Sequence, residues 1–145
     1  MNYRTARDSD LLAIITLLQI SNLPYEDCHR QLENLLILEE GHHIIALGGA
    51  QCYGDVALLR SIAIQPERRG QGLGKAMFLT LKTRVQEQGV DTLYLLTETA
   101  CEYFKGLGFN QIARDLVPKA IKQTAQFSSL CPNSATVMTL NLKGA

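Results

Sequence analysis

The chain has 145 residues, near the usual size of one domain, so it can bury one sizeable core but not two typical ones. Lys plus Arg and Asp plus Glu both count 14, which leaves no net field to draw the molecule toward nucleic acid or an anionic membrane. No apolar run approaches a membrane span, the N-terminus lacks the basic and apolar regions of a signal peptide, and Cys28, Cys52, Cys101 and Cys131 are scattered without a CxxC pair. A soluble, cytoplasmic single domain over residues 1–145 with reduced thiols is expected, and any anion site must be local.

In chain order, "NYRTA" predicts a first strand, and Asp8, Ser9 or Asp10 can cap the helix "LLAIITLLQI", whose apolar residues recur at helical spacing. A second helix is expected from about Tyr25 to Leu35. Then "LLILEE", "HIIALGGAQCYG" and "DVALLRSIAIQ" read as three extended segments of an antiparallel meander, the last stopped by Pro66. Residues 71–88 return to helical spacing with Leu73, Met77, Leu81 and Val85 on one stripe, and Gly89 closes that helix. "VDTLYLLT" predicts a strand, "ACEYFKGLG" a short helix, "FNQIA" a strand, "PKAIKQTAQF" a helix opened by Pro118, and "SATVMTLNL" a final strand. The order is mixed α/β, without repeat or linker.

The stretch "IAIQPERRGQGLGKAMF", residues 62–78, joins an apolar strand to a helix N-terminus through a glycine-rich turn. Such a junction points backbone N–H groups at one spot with the helix dipole behind them, which suits phosphate. Gly70, Gly72 and Gly74 allow close backbone approach, and Arg68 and Arg69 can add charge-assisted hydrogen bonds at the rim. A tight turn that binds nothing is the alternative. A Walker A loop ending at Lys75 would need Gly at 69 and Ser or Thr at 76, where Arg69 and Ala76 stand. GxGxxG fails too, since Lys75 or Met77 falls where the third glycine belongs.

"RRGQGLG" resembles the R/Q-x-x-G-x-G/A loop of the GCN5-related N-acetyltransferase (GNAT) family, with Arg69, Gly72 and Gly74 at the specified positions. "LLRSIAIQP", "LYLLT" and "YFKGLGF" follow in that family's order, and the resemblance covers nearly the whole chain. It implies an α+β fold with a mostly antiparallel sheet of about seven strands, the fourth and fifth splayed apart. It implies acetyl-CoA as cosubstrate, its pyrophosphate held beside Arg69 and Gly70 by amides of Gln71, Gly72, Leu73, Gly74 and Lys75, and its pantetheine arm paired with Ile62, Ala63 and Ile64. The tail "VPKAIKQTAQFSSLCPNSA" and "YGDVALLRS" resemble a subgroup associated with bacterial arsenic-resistance genes, a label that does not fix a substrate.

Acetyl transfer to an amine needs a neutral amine, a donor for the developing oxyanion and a proton for the departing thiolate. By the resemblance, a backbone N–H within Ile62 to Ile64 serves the oxyanion. The family's usual tyrosine falls, by count from Phe109, on Phe104, which cannot donate a proton and is left as a cofactor contact. Tyr103 lies about 100° around the same helix, so it reaches the sulfur from a rotated helix or by another path, or water does the work. Glu98, after the fifth strand, is the first choice as base, or else caps the next helix; Asp55, Glu26 and Asp27 are weaker choices. An α-amine, with pKa about 7.7 to 8.0, needs less help than a lysine near about 10.4. An amino acid or related small amine is therefore the expected acceptor.

Arg60 interrupts the apolar "VALLRSIAI" and needs an anion. That anion is an internal carboxylate such as Asp55, or a substrate carboxylate or arsinate-like group gripped together with Arg4 or Arg7. Tyr25 in "NLPYED" is a candidate pocket residue, or that segment is a plain turn set by Pro24. Ser128, Ser129 and Cys131 of "FSSLCP" are candidates for the far wall. His29, His42 and His43 lack partners at metal-site spacing, so no metal is expected. A catalytically silent acyl-CoA-binding domain and a protein or aminoacyl-tRNA acetyltransferase are the competing functions. Nucleic acid and membrane are not expected partners, whereas a homodimer pairing through the apolar final strand is an option.

Overall fold

A computed structural model describes residues 1–131 and 133–143; Pro132 of the "FSSLCP" loop and residues 144–145 lie outside the described residues. Strands β1 (Asn2–Thr5), β2 (Leu35–Glu40), β3 (His43–Tyr53), β4 (Val56–Ile64), β5 (Thr92–Thr97), β6 (Asn110–Gln111) and β7 (Thr136–Asn141) form one sheet in the order β1-β2-β3-β4-β5-β7-β6. The helices are α1 (Leu11–Ile20), α2 (Leu73–Glu87), α3 (Cys101–Gly106) and α4 (Lys119–Lys122). This is the expected mixed α/β arrangement, with antiparallel pairs predominating. The chain divides into two compact units, residues 1–50 with 61–84, and residues 51–60 with 85–145.

In the first unit, α1 buries Ile14, Leu17 and Leu18 against Leu35, Ile37, Leu47 and Ala63, while Leu12 on the opposite side is 77% exposed. Full burial of each such side chain contributes about 1.5 to 3 kcal/mol. The helix ends at Asn22, which takes a left-handed φ of 56°, with Asn22 N–H donating to Gln19 O and Leu23 N–H to Leu18 O. That double bond is a Schellman cap, and Pro24 follows where a helix cannot continue. The expected capping role at the other end is different. Asp10 turns its carboxylate back to Arg7 N–H (2.8 Å), closing the short turn Asp8–Asp10, and gives α1 no side-chain cap.

The helix expected from Tyr25 to Leu35 is absent; two 3-10 turns, Cys28–Arg30 and Leu32–Asn34, stand in its place. Asn34 N–H donates to Gln31 O (2.8 Å) across the second turn, and Asn34 Nδ2 donates to Gln31 Oε1 (2.8 Å). So short a segment cannot recover the cost of helix nucleation by itself.

The β2–β3 ladder slips between the pairs Leu38↔Ala46 and Glu39↔Ile44, which leaves Ile45 as a bulge residue. The bulge holds the end of β4: Ile45 O accepts Gln65 N–H (2.9 Å) and Ile44 O accepts Gln65 Nε2 (3.1 Å). Gly48 on β3 permits a close approach, because a Cβ there would sit 2.8 Å from Met77 Cγ and 2.9 Å from Leu81 Cδ1. The stripe anticipated on α2 is buried, with Met77 at 0% and Leu81 at 4% exposure.

In the second unit, β5 pairs antiparallel with β7 over six residues, and β4 pairs in parallel with β5 only from Val56↔Thr92 to Leu58↔Tyr94. The core gathers Leu58, Tyr94, Val117, Ile121 and Val137. β7 lies between β5 and β6, with Thr139 and Met138 facing Asn110 and Gln111, so that stretch is not open to a second copy. The helix expected over "PKAIKQTAQF" stops after one turn. Buried Thr124 donates to Ile121 O (2.7 Å) and accepts Phe127 N–H (3.3 Å), and a π turn, Gln126–Leu130, follows. The strand expected over "FNQIA" shrinks to two residues.

Candidate active site

β4 leads into the glycine loop through an irregularity that sequence reasoning missed. Ser61 has φ 61° in mid-strand and is 6% exposed. A buried non-glycine residue in the left-handed region is uncommon, and such strain gathers at functional positions. It re-aims the backbone just before Ile62, where the oxyanion donor is expected. The only hint in the sequence was a small polar residue after Arg60 in an otherwise apolar run. After Ile64, the 3-10 turn Pro66–Arg68 precedes the glycines.

Gly70 and Gly72 have φ of 81° and 78°, are exposed, and have open space where a Cβ would stand. Gly72 O accepts Ala76 N–H at 3.1 Å and so opens α2. The preceding N–H groups, from Gly70 through Lys75, have no acceptor among the described residues. Six consecutive donors at the start of a 15-residue helix form a positive concavity. Arg69 and Lys75 are exposed at its sides and make no ion pair among the described residues. Arg68, expected at the rim, turns away instead: its Nη1 donates to Glu40 Oε1 (3.0 Å) and its Nε to Gln71 Oε1 (3.1 Å). The hydrogen bond from Arg68 holds the Glu40 carboxyl below its usual range.

In the second unit, "YFKGLGF" forms α3 and its stop. Gly108 N–H donates to Lys105 O and Phe109 N–H to Phe104 O, with Gly108 at φ 104°. This Schellman cap brings its two hydrophobic positions together, and the Phe104 and Phe109 rings meet edge to face at 5.6 Å. Phe104 is thereby explained as a cap residue. Tyr103 packs its ring against Phe104 (5.3 Å, 78°) and is 47% exposed. Partial burial raises its hydroxyl pKa above the ordinary tyrosine value, which keeps the proton in place as a donor. Glu98 is exposed and does not cap α3, which has no side-chain cap; Thr97 Oγ1 accepts Ala100 N–H at 2.9 Å in the turn that precedes the helix.

Arg60 is 3% exposed, and its Nη1 donates to Gln51 Oε1 at 2.9 Å. Asp55, the suggested partner, is exposed and makes no ion pair among the described residues. Arg4 is not available to grip a substrate. It forms a two-point pair with Asp10 (2.7 and 2.9 Å), and its Nε lies 3.0 Å from Glu39 Oε2. Arg7 remains exposed. Tyr25 is half-buried and packs on the first unit's core, and Ser129 is exposed in the π turn, donating to Ala125 O (3.2 Å). No group of three or more His, Cys, Asp and Glu side chains suited to a metal occurs among the described residues, and no helix among them is long and apolar enough to cross a membrane.

Residues 31–111, more than half of the chain, match the acetyltransferase (GNAT) domain family, and the chain belongs to it. Among curated proteins, it is similar to an amino-acid acetyltransferase of Pseudomonas fluorescens, 29% identical over 97 residues that make up 66% of this chain and 22% of the relative. One from Pasteurella multocida is 24% identical over 115 residues, 73% of this chain and 26% of the relative. The chain thus spans about a quarter or less of the curated relatives it matches. Among solved structures, Rv2747 of Mycobacterium tuberculosis in complex with CoA and NLQ superposes with a TM-score of 0.81 at 20% identity, covering 98% of this chain and 99% of that one. N-acetylglutamate synthase of Neisseria gonorrhoeae, complexed with coenzyme A and L-arginine, gives 0.83 at 17% identity, covering 97% of this chain and 33% of that one. At these identities the two structures bear on the fold.

Proposed function

We propose that the protein is an acetyl-CoA-dependent N-acetyltransferase acting on the α-amine of an amino acid, with acidic amino acids and their phosphinic or arsinic analogues as the first candidates. The observation that carries this reading is the run of six backbone donors from Gly70 to Lys75, shaped by two left-handed glycines at the mouth of α2. A pyrophosphate takes such an array, and exposed Arg69 and Lys75 add charge to it. The names of the curated relatives support an amino-acid acceptor. The arsenic-associated subgroup rests on the resemblance of the tail and supplies only the analogues.

In this reading the amine nitrogen attacks the thioester carbonyl. The carbonyl oxygen takes negative charge against a backbone N–H of the Ile62 to Ile64 stretch, the strand re-aimed by Ser61. Collapse breaks the C–S bond and forms the amide, Tyr103 gives its proton to the thiolate, and the amine's proton leaves to Glu98 or to water. An α-amine is neutral in a sizeable fraction near pH 7 to 8, which matches an exposed carboxylate as a weak base. Arg60 and Gln51 are the candidates for recognising the acceptor's acid group, with Tyr25 and Ser129 as further pocket candidates.

The test is mass spectrometry of products after incubation with acetyl-CoA and pooled amines, including acidic amino acids, their phosphinic and arsinic analogues, polyamines and a lysine peptide. An acetylated acidic α-amine is expected. Acetylation of the lysine peptide alone would overturn the substrate class, and absence of any product across the pool would favour a silent acyl-CoA-binding domain.

A further inference from the structure

We propose that Glu40 is a positioning residue for the cofactor loop, acting through Arg68; the inference rests on the acetyl-CoA reading and deepens it. Glu40 ends β2, where the ladder pairs it with His43. Its Oε1 accepts Arg68 Nη1 at 3.0 Å, and the same guanidinium passes its Nε to Gln71 Oε1 at 3.1 Å. Gln71 sits between Gly70 and Gly72, the two residues with the most backbone freedom in the loop. One planar fork therefore ties a strand end to the middle of the donor array.

Gln65 ties the approach to the loop to β3, through its N–H to Ile45 O and its side chain to Ile44 O, and Gln65 O accepts Arg68 N–H. Packing gives little support there. Arg68, Glu40, Gln65 and Glu67 border a cavity of about 560 Å³ that reaches Arg4 and His42. The restraint on Gln71 is thus carried by charge and hydrogen bonding. Neighbouring N–H groups without acceptors repel one another, and the two left-handed glycines give that backbone freedom to disperse. Fixing Gln71 before the cofactor arrives reduces the ordering cost of binding. Arg68 acts as this linker, and exposed Arg69 is left to meet the ligand.

The experiment is calorimetric titration of CoA into the wild type, Glu40→Gln, Glu40→Arg, Arg68→Glu and the double swap Glu40→Arg with Arg68→Glu, alongside steady-state kinetics. For a partly exposed ion pair, Glu40→Gln should weaken CoA by about two- to fivefold. Glu40→Arg, which opposes two guanidiniums, should weaken it by about tenfold. The swap should return affinity to within about twofold of wild type, which loss of a merely structural contact would not do. The KM for acetyl-CoA should follow Kd while kcat stays within about twofold. Unchanged affinity in Glu40→Arg, with the wild type binding CoA, overturns the inference and leaves the acetyl-CoA reading standing. A swap as weak as Arg68→Glu alone also overturns it, because Arg68 would then touch the cofactor directly. Failure of the wild type to bind CoA removes the reading itself, and the inference with it.

Discussion

Replacing Gly72 by alanine isolates the contribution of backbone shape to cofactor binding. Its φ is 78°, and a Cβ there meets nothing within 4 Å, so the substitution introduces no clash. What remains is the cost of holding an L-residue in the left-handed region, about 1 to 2 kcal/mol. The loop is exposed, so the strain is relieved by local remodelling that turns the Gly70 to Lys75 donors out of line, rather than by global unfolding. The loss should therefore appear in affinity: about 1 to 2 kcal/mol corresponds to a 5- to 30-fold rise in Kd for CoA. Gly54→Ala is the matched control. Gly54 has φ 66°, is exposed and has equally open surroundings, but lies in the turn between β3 and β4. It should lower Tm to a similar or greater degree and leave CoA affinity alone. If Gly72→Ala weakened CoA no more than Gly54→Ala does, the donor array would not be what holds the cofactor.

Tyr103→Phe should lower kcat by about 10²- to 10⁴-fold with the Kd for CoA unchanged, the range expected for loss of a general acid; near-normal turnover would remove Tyr103 from the mechanism. Asp10, held below its usual pKa by the hydrogen bonds from Arg4, contributes stability that is present above about pH 4, the unfolded-state value, and is lost as pH falls through its lower folded value. Asp10→Asn should cost about 1 to 3 kcal/mol at neutral pH and flatten the fall of Tm below about pH 4; an unchanged acid profile would contradict this. Gly48→Ala should destabilise by about 1 to 3 kcal/mol through overpacking on Met77 and Leu81. Thermal melts read it, and an unshifted Tm would mean that these side chains yield freely.

Elements with strong periodicity were legible in the sequence. α1 occupies the quoted "LLAIITLLQI", and α2 buries the anticipated stripe, because helical spacing and apolar burial act together there. The tail after Pro118 departs from the expected helix because Thr124 bonds Ile121 O with its side chain, a competition that periodicity does not register. The segment from Tyr25 to Leu35 is too short to recover helix nucleation and forms two 3-10 turns instead. In the candidate site, the glycine loop announced itself by composition. Its supports did not. Glu40 lies 28 residues from Arg68, and Gln65 is held by a bulge whose register only the ladder reveals. Phe104 illustrates the reverse. Counting placed it at a catalytic position, and the cap geometry accounts for it as the hydrophobic partner of Phe109.

The central claim is that the backbone amides from Gly70 to Lys75 hold the pyrophosphate of the cofactor. The most direct measurement is an amide-resolved NMR titration of the labelled protein with CoA. The account predicts that these six amides shift downfield together and saturate with a single Kd. Binding that leaves them unmoved, with the largest shifts elsewhere, would contradict it.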